Sequence, residues 1–206
     1  MLNILLIFII GAIYGVLSAM YDLPLWGLYV IVGIWGTITI GNVVYTLYKS
    51  QNLAKIRKLI TKYKKDPVYK YMLLHEQNAP TYEKIAVLEQ VLAKYKQPKY
   101  QATYGVHLAL AKDDFEEAKH YIRPLIGTDL GDYTNDVIHI ISGDSYTQKR
   151  TYKKQWMNDS VKAHLAFMQK DLHQFDEYVQ KSLANTGGVQ YFGNYYSFQQ
   201  MREKLA

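Results

Sequence analysis

The stretch Val106–Ile122, "VHLALAKDDFEEAKHYI", returns in outline 57 residues later as Ala163–Val179, "AHLAFMQKDLHQFDEYV". His-Leu-Ala recurs, an Asp stands seven places after each His, and Tyr is followed by Ile or Val near each end. From Phe115, the residues Ala118, Tyr121, Ile122 and Leu125 lie at the spacing of one helical face; from Leu172, so do Phe175, Tyr178, Val179 and Leu183. Asp114 and Asp171 each stand one place before the first apolar residue. There a carboxylate can accept a hydrogen bond from an unpaired first-turn amide. Glu117 and Gln174 follow at the spacing of a capping box. The echo reads as a helix, a tight turn and a capped helix, used twice.

Working outward, a third copy lies upstream. Tyr82, Ile85, Leu88, Leu92 and Tyr95 form a comparable stripe, offset by 33 residues from Phe115, Ala118, Tyr121 and Leu125, with Thr81 at the cap position. A first helix is predicted before each capped one, over 67–77, 99–112 and 154–170. Helix pairs at this period resemble the tetratricopeptide repeat. The likeness is carried best by Tyr104–Ile122, where Ala118 matches the family's small residue and Asp114-Phe115-Glu116-Glu117 its turn into the second helix. Pro98 closes the first unit as in the family.

The departures are plain. The Trp and Leu-Gly signature of the first helix is missing, although Gly105 lies close to it. Ile85 and Phe175 replace the small residue, and Pro124 must end or kink a second helix. The third unit arrives about 23 residues late, leaving room for a short helix over Asp132–Ile141 and a loop over Ser142–Arg150. The resemblance implies an all-α fold: a tetratricopeptide-like α-solenoid of about three helix pairs over residues 67–206, with a capping helix from about Asn194. Gln199, Gln200, Arg202 and Lys204 would face outward there, and Tyr195, Phe198 and Met201 would pack. A different α-solenoid, or an irregular helical bundle with one duplicated hairpin, is the other reading.

Residues 1–48 have a different composition, with no Lys or Arg and a single acid, Asp22. Two apolar stretches, about 2–20 and 25–47, approach the roughly 20 residues a membrane span requires. Only "YDLP" (Tyr21–Pro24) separates them, so they read as a transmembrane helical hairpin. The first stretch lacks the basic start and cleavage site of a secretory leader. Gly11 and Gly15 share one face and Gly33 and Gly36 another, and the simplest reading packs the two spans together there, as small residues allow. A second reading leaves one face for another membrane protein.

Beyond the second stretch come Lys49, Lys55, Arg57, Lys58, Lys62, Lys64 and Lys65, with no acid before Asp66. That asymmetry predicts a cytoplasmic N-terminus and a cytoplasmic C-terminal domain in the cell membrane. Residues 49–66 are expected as a basic juxtamembrane helix with Leu53, Ile56, Ile60 and Tyr63 on one face. Two placements suit it: lying on the membrane, or continuing the second span. Lys55, Arg57, Lys58, Lys62, Lys64 and Lys65 are its candidate lipid-headgroup contacts.

The net charge of +6 arises in this segment, because bases and acids are equal in number from Asp66 onwards. The basic balance is therefore poor evidence for nucleic-acid binding, and none is expected. With no Cys, thiolate metal sites and Cys nucleophiles are excluded. No phosphate-binding loop, dinucleotide fingerprint, nucleophile elbow or zinc-protease motif occurs. Glu117-Ala118-Lys119-His120 is a single E-x-x-H without a second copy, and Glu116 with His120 reads as a solvated pair. His75 and His139 stand alone. The expectation is a protein that is no enzyme, with no cofactor, metal or small-molecule substrate.

The repeat makes His107 and His164 equivalent. On the first helices of a tetratricopeptide-like pair they fall on the groove-lining face with Thr103 and Ser160. These four are the candidate partner groove for an extended peptide or helix. The function implied is a membrane-anchored adaptor or assembly factor that binds a protein partner. The alternative is an accessory subunit of an integral membrane complex, held through the glycine-bearing hairpin.

Overall fold

The computed structural model describes residues 2–21 (side chains from Ile9), 24, 26–144, 146 and 150–205. Among the described residues all regular structure is helical: eleven α-helices, one 3-10 turn and no strand. Parts of the predicted inter-span turn (Asp22, Leu23) and of the 142–150 loop (Ser145, Thr147, Gln148, Lys149) lie outside them. The chain divides into two compact units, residues 1–45 and 46–206.

The first unit contains α1 (Leu2–Tyr21) and most of α2 (Trp26–Tyr48). Of the described segments α2 alone is long and apolar enough to cross a membrane, with a mean hydropathy of 1.7; α1 contributes the shorter apolar segment Ile9–Tyr21. The hydroxyls of Thr37 and Thr39 donate to the carbonyls of Gly33 and Trp35, each at 2.9 Å. Such i−4 bonds let a polar side chain sit within an apolar helix without an unmet donor. The expected packing of the two helices through their glycines is not found. A Cβ placed at Gly11, Gly15, Gly33 or Gly36 would meet nothing within 4 Å. The glycine that is closely approached is Gly27, where the Tyr14 hydroxyl lies while donating to the Pro24 carbonyl at 2.6 Å.

The second unit holds α3 (Leu53–Lys62), α4 (Pro67–Glu76), α5 (Thr81–Lys94), α6 (Pro98–Ala111), α7 (Phe115–Ile122), α8 (Asp129–Ile141), α9 (Gln155–Met168), α10 (Leu172–Ala184) and α11 (Gly188–Leu205). Three hairpins, α4–α5, α6–α7 and α9–α10, turn in the same way. Each first helix ends in one left-handed residue: Asn78 (φ 47°), Asp113 (φ 56°) or Lys170 (φ 57°). The next amide then reaches back to a carbonyl in the last turn, Ala79 to Leu74, Asp114 to Ala109 and Asp171 to Ala166, at 2.9–3.0 Å. This is a Schellman-type stop. Asp114 and Asp171 cap the second helices as expected, accepting from Glu117 and Gln174 amides at 2.8 and 2.9 Å. Thr81 does not cap: Pro80 holds that position and Thr81 is the first helical residue of α5.

Boundaries elsewhere follow local chemistry. Asp66 caps α4, with Pro67 in its first turn where a missing N–H is harmless. Pro124 ends α7 at Ile122 and starts the 3-10 turn Arg123–Leu125. The insertion forms α8, beginning three residues before the expected Asp132. In α5 the most deeply buried residues are Val87, Leu88 and Val91, so the apolar stripe is rotated from the predicted Ile85–Leu92 line. Leu172, expected in the core, is 38% exposed.

Successive helices pack on one another from α3 to α11, and α11 also reaches α3, α4 and α9. It begins six residues earlier than expected and does more than cap an end. Phe192 is buried with Ile56 and Ile60 of α3, and Phe198 is buried with Phe175, Ala163 and Ala166. Gln200 points inward and donates to the His75 carbonyl at 2.6 Å. At the start of α11 the Gly188 amide donates to the Ser50 carbonyl at 2.7 Å. Gly188 has φ +62°, and a Cβ there would lie 1.8 Å from the Leu47 carbonyl oxygen. Only glycine suits both the backbone angle and the approach.

The apolar face of α3 is consequently filled by protein. Ile56 and Ile60 are fully buried against Phe192, Tyr69, Met72 and Leu73. Residues 49–66 do not continue the second span, and a placement on the membrane would have only the basic face of α3 to use. The apolar face is not free for lipid, and α2 stops at Tyr48 with a break before α3, which Asn52 caps.

Candidate functional site

The repeat places Thr103 and His107 on α6, and Ser160 and His164 on α9. Their surroundings differ. Around His107 the neighbours are aromatic: its ring lies 5.6 Å from Tyr71 of α4 and 6.2 Å from Tyr104. Tyr71 stacks at 6.2 Å on His75, one helical turn further along α4, and meets Tyr104 edge-on at 6.2 Å. Tyr104 continues through Tyr100 (6.0 Å) to Tyr95 (4.7 Å), both stacked. The run ends at Asp66, whose carboxylate accepts from the Tyr95 hydroxyl and pairs with Lys94 at 2.6 Å. Burial alone would raise the Asp66 carboxyl, but the bonds from Lys94, Tyr95 and the Val68 amide together hold it below its usual range.

His107 is exposed, and Thr103, Tyr71, His75 and Tyr104 are half-buried. Desolvation pulls His75 and His107 down to about 4, with the nearby His107 and Lys84 adding to the effect on His75. Water at the open face of His107 screens part of that penalty. Desolvation also raises Tyr71 and Tyr104 above the usual phenol range. At neutral pH the rings are uncharged. They offer flat apolar faces, two phenolic hydroxyls and neutral imidazole nitrogens, a surface suited to holding peptide and side-chain groups by packing and hydrogen bonds.

At the second copy, Ser160 is buried and its hydroxyl pairs with that of Tyr133 at 2.8 Å. His164 Nδ1 lies 2.7 Å from the Ser160 carbonyl and its ring 5.9 Å from Phe198 of α11. Desolvation lowers the His164 pKa against the opposing effect of that hydrogen bond. The structure therefore does not bring the four candidates into one surface. It leaves His107 exposed and Thr103 half-buried on α6, and on α9 buries Ser160 and half-buries His164. Tyr71, His75 and Tyr104 join the α6 pair, and their signal was present in part: Tyr71 and Tyr104 are 33 residues apart, the offset of the repeat.

Elsewhere Glu76 Oε2 and Asn194 Nδ2 are buried without a hydrogen-bond partner among the described residues, while the charged clusters at either end of α8 are paired internally. An open depression of about 570 Å³ is lined by Lys112, Asp113, Asp114, Phe115, Glu116, Lys119, Ser142 and Asp144. Its charges pair among themselves: Lys119 with Glu116 at 2.8 Å and Asp144 at 3.2 Å, and His139 with Asp144 at 2.9 Å. Bonds from His139, Ser142 and Lys119 hold the Asp144 carboxyl at about 2. Glu116 is thus partnered by Lys119, and His139 and His75 do not stand alone. Asp136 of α8 accepts from the Tyr146 (2.7 Å) and Tyr152 hydroxyls, and Arg150 pairs with Asp132 of the same helix. No group of three His, Asp or Glu side chains that could hold a metal occurs among the described residues.

Lys55, Arg57, Lys58, Lys62, Lys64 and Lys65 are all exposed. Arg57 pairs with Glu76 at 2.8 Å, and Lys62 lies over the Tyr63 ring at 5.5 Å.

Comparison of the chain with protein-family models, curated proteins and solved structures finds no match.

Proposed function

We propose that this chain is a membrane-anchored adaptor or assembly factor. In this reading it crosses the cell membrane twice, keeps its N-terminus and helical domain in the cytoplasm, and captures a protein partner on degenerate tetratricopeptide-like hairpins. The observation that carries it is the partly open Tyr71–Tyr104–His107 face, formed where two first helices of successive hairpins meet. Uncharged aromatic rings of this kind suit recognition by packing. The charge pattern around residues 49–65 supports the orientation. A photo-crosslinking residue at Thr103 or His107 of the full chain, activated in cells, should capture a protein that the same residue at exposed Glu89 does not. Equal capture from both positions, or from neither, would refute the reading. Protease added outside intact cells should spare residues 49–206, and cleavage there would overturn the orientation.

The open glycine faces favour a second reading, an accessory subunit that meets an integral membrane complex through α1 and α2. Replacing residues 1–45 by an unrelated two-span anchor separates the two. The adaptor keeps its function after the exchange and the membrane subunit loses it.

A further inference from the structure

The most strongly charged surface of the second unit lies on α3, and the fold determines which of its faces is available. At 3.6 residues per turn, Lys55, Lys58 and Lys62 fall within roughly 60° of one another on the side opposite Ile56 and Ile60. Both isoleucines are fully buried, so the helix cannot roll to present them, and the three lysines are exposed. Arg57, at the flank, is committed to Glu76. Lys64 and Lys65 extend the charge past the helix end, and no acid interrupts residues 49–65. The segment is not a loose tether: the Gln51 side-chain amide donates to the carbonyls of Leu183, Ala184 and Thr186 at 3.2, 3.3 and 2.8 Å. The link from Tyr48 to Leu53 spans at most about 17 Å even if extended, so α3 stays close to the end of α2.

We propose that Lys55, Lys58 and Lys62 seat the helical unit on anionic phospholipid headgroups where α2 leaves the bilayer. This rests on the reading that α2 crosses a membrane. Anionic headgroups are the occupant that charge and continuity with an apolar span select together. The contact is electrostatic and superficial, because the face that would enter the acyl region is already used inside the protein. An acidic protein surface is the rival occupant.

The chain has no Cys, so Thr61→Cys supplies a unique site for a nitroxide label on the exposed side of α3. The labelled full chain is placed in nanodiscs of phosphatidylcholine alone or of phosphatidylcholine with phosphatidylglycerol. Accessibility to a neutral, water-soluble relaxation agent should fall severalfold in the anionic discs only. Lys55→Gln with Lys58→Gln and Lys62→Gln should abolish the difference at an unchanged thermal midpoint. Equal accessibility in both discs overturns the proposal, as does protection that needs soluble poly-glutamate in place of anionic lipid. Extraction of the chain by an alkaline carbonate wash overturns the membrane reading on which it rests. Integration without lipid-dependent protection overturns this inference alone.

Discussion

The α6–α7 and α9–α10 hairpins are built from nearly the same sequence and end in different environments. Both have a left-handed turn residue, an Asp cap and a buried core of matched positions. They differ in what covers the first helix. Phe198 of α11 packs beside His164, whereas Tyr71 and Tyr104 leave His107 open. They differ again two residues earlier. Tyr121 lies directly on the bare backbone of Gly105; its counterpart Tyr178 lies under the Lys162 ammonium at 5.4 Å. A local motif thus fixes the hairpin, and the neighbour that arrives later decides whether its inner face becomes core or surface.

The largest expected effect removes that neighbour. Phe198→Ala should destabilise the full chain by about 3–5 kcal/mol, as for other buried aromatic truncations, read by urea unfolding in micelles. Tyr71→Ala, over the open hairpin, should cost only about 1–2 kcal/mol because the ring is partly exposed. Equal losses would erase the contrast between covered and open faces.

Next comes Gly105→Ala, whose Cβ would lie 2.2 Å from the Tyr121 ring. It should destabilise by about 1–3 kcal/mol. Adding Tyr121→Ala should recover part of that loss, a non-additivity that unfolding of the double variant measures.

The two caps sharpen the comparison by their likeness. Asp114→Ala and Asp171→Ala should each cost about 1 kcal/mol, with equal shifts in thermal midpoint. A much larger loss at Asp171 would mean that α11 depends on that cap.

The smallest effect is a pH slope. His75 and His107 have folded pKa values about 4, below the unfolded 6.5. As pH falls below about 6.5 the unfolded chain binds protons first, so stability is lost between about pH 6.5 and 4 and is unaffected above that window. His107→Gln should flatten the slope of the urea midpoint between pH 7.5 and 5. His164→Gln should flatten it less, because its bond to the Ser160 carbonyl opposes the desolvation. The reverse ranking would contradict the environments described.

The hairpins were legible because their signals are local. Cap, turn and apolar stripe lie within one repeat, and the first helices begin and end within two residues of the expected positions. Thr81 misled because a proline can occupy a cap position with no side-chain hydrogen bond. The site was legible by halves. The repeat pointed to His107 and paired Tyr71 with Tyr104, but it also made His164 equivalent, and no periodicity announces that Phe198 of α11 packs beside it. Long-range contacts of this kind, like the pairing of Gln51 with Thr186, 135 residues apart, leave no trace in spacing. The small faces of Gly11, Gly15, Gly33 and Gly36 show the same gap, since a glycine pattern permits close approach without naming the helix that approaches.

The clasp between residues 47–51 and the start of α11 also has a consequence for synthesis. A growing chain emits α3 well before α11. Ile56 and Ile60 lack their Phe192 partner until the start of α11 has been made. Closure of the helical unit therefore waits on more than a hundred residues of later synthesis, and until then the apolar face of α3 is the part of the unit most in need of a temporary partner.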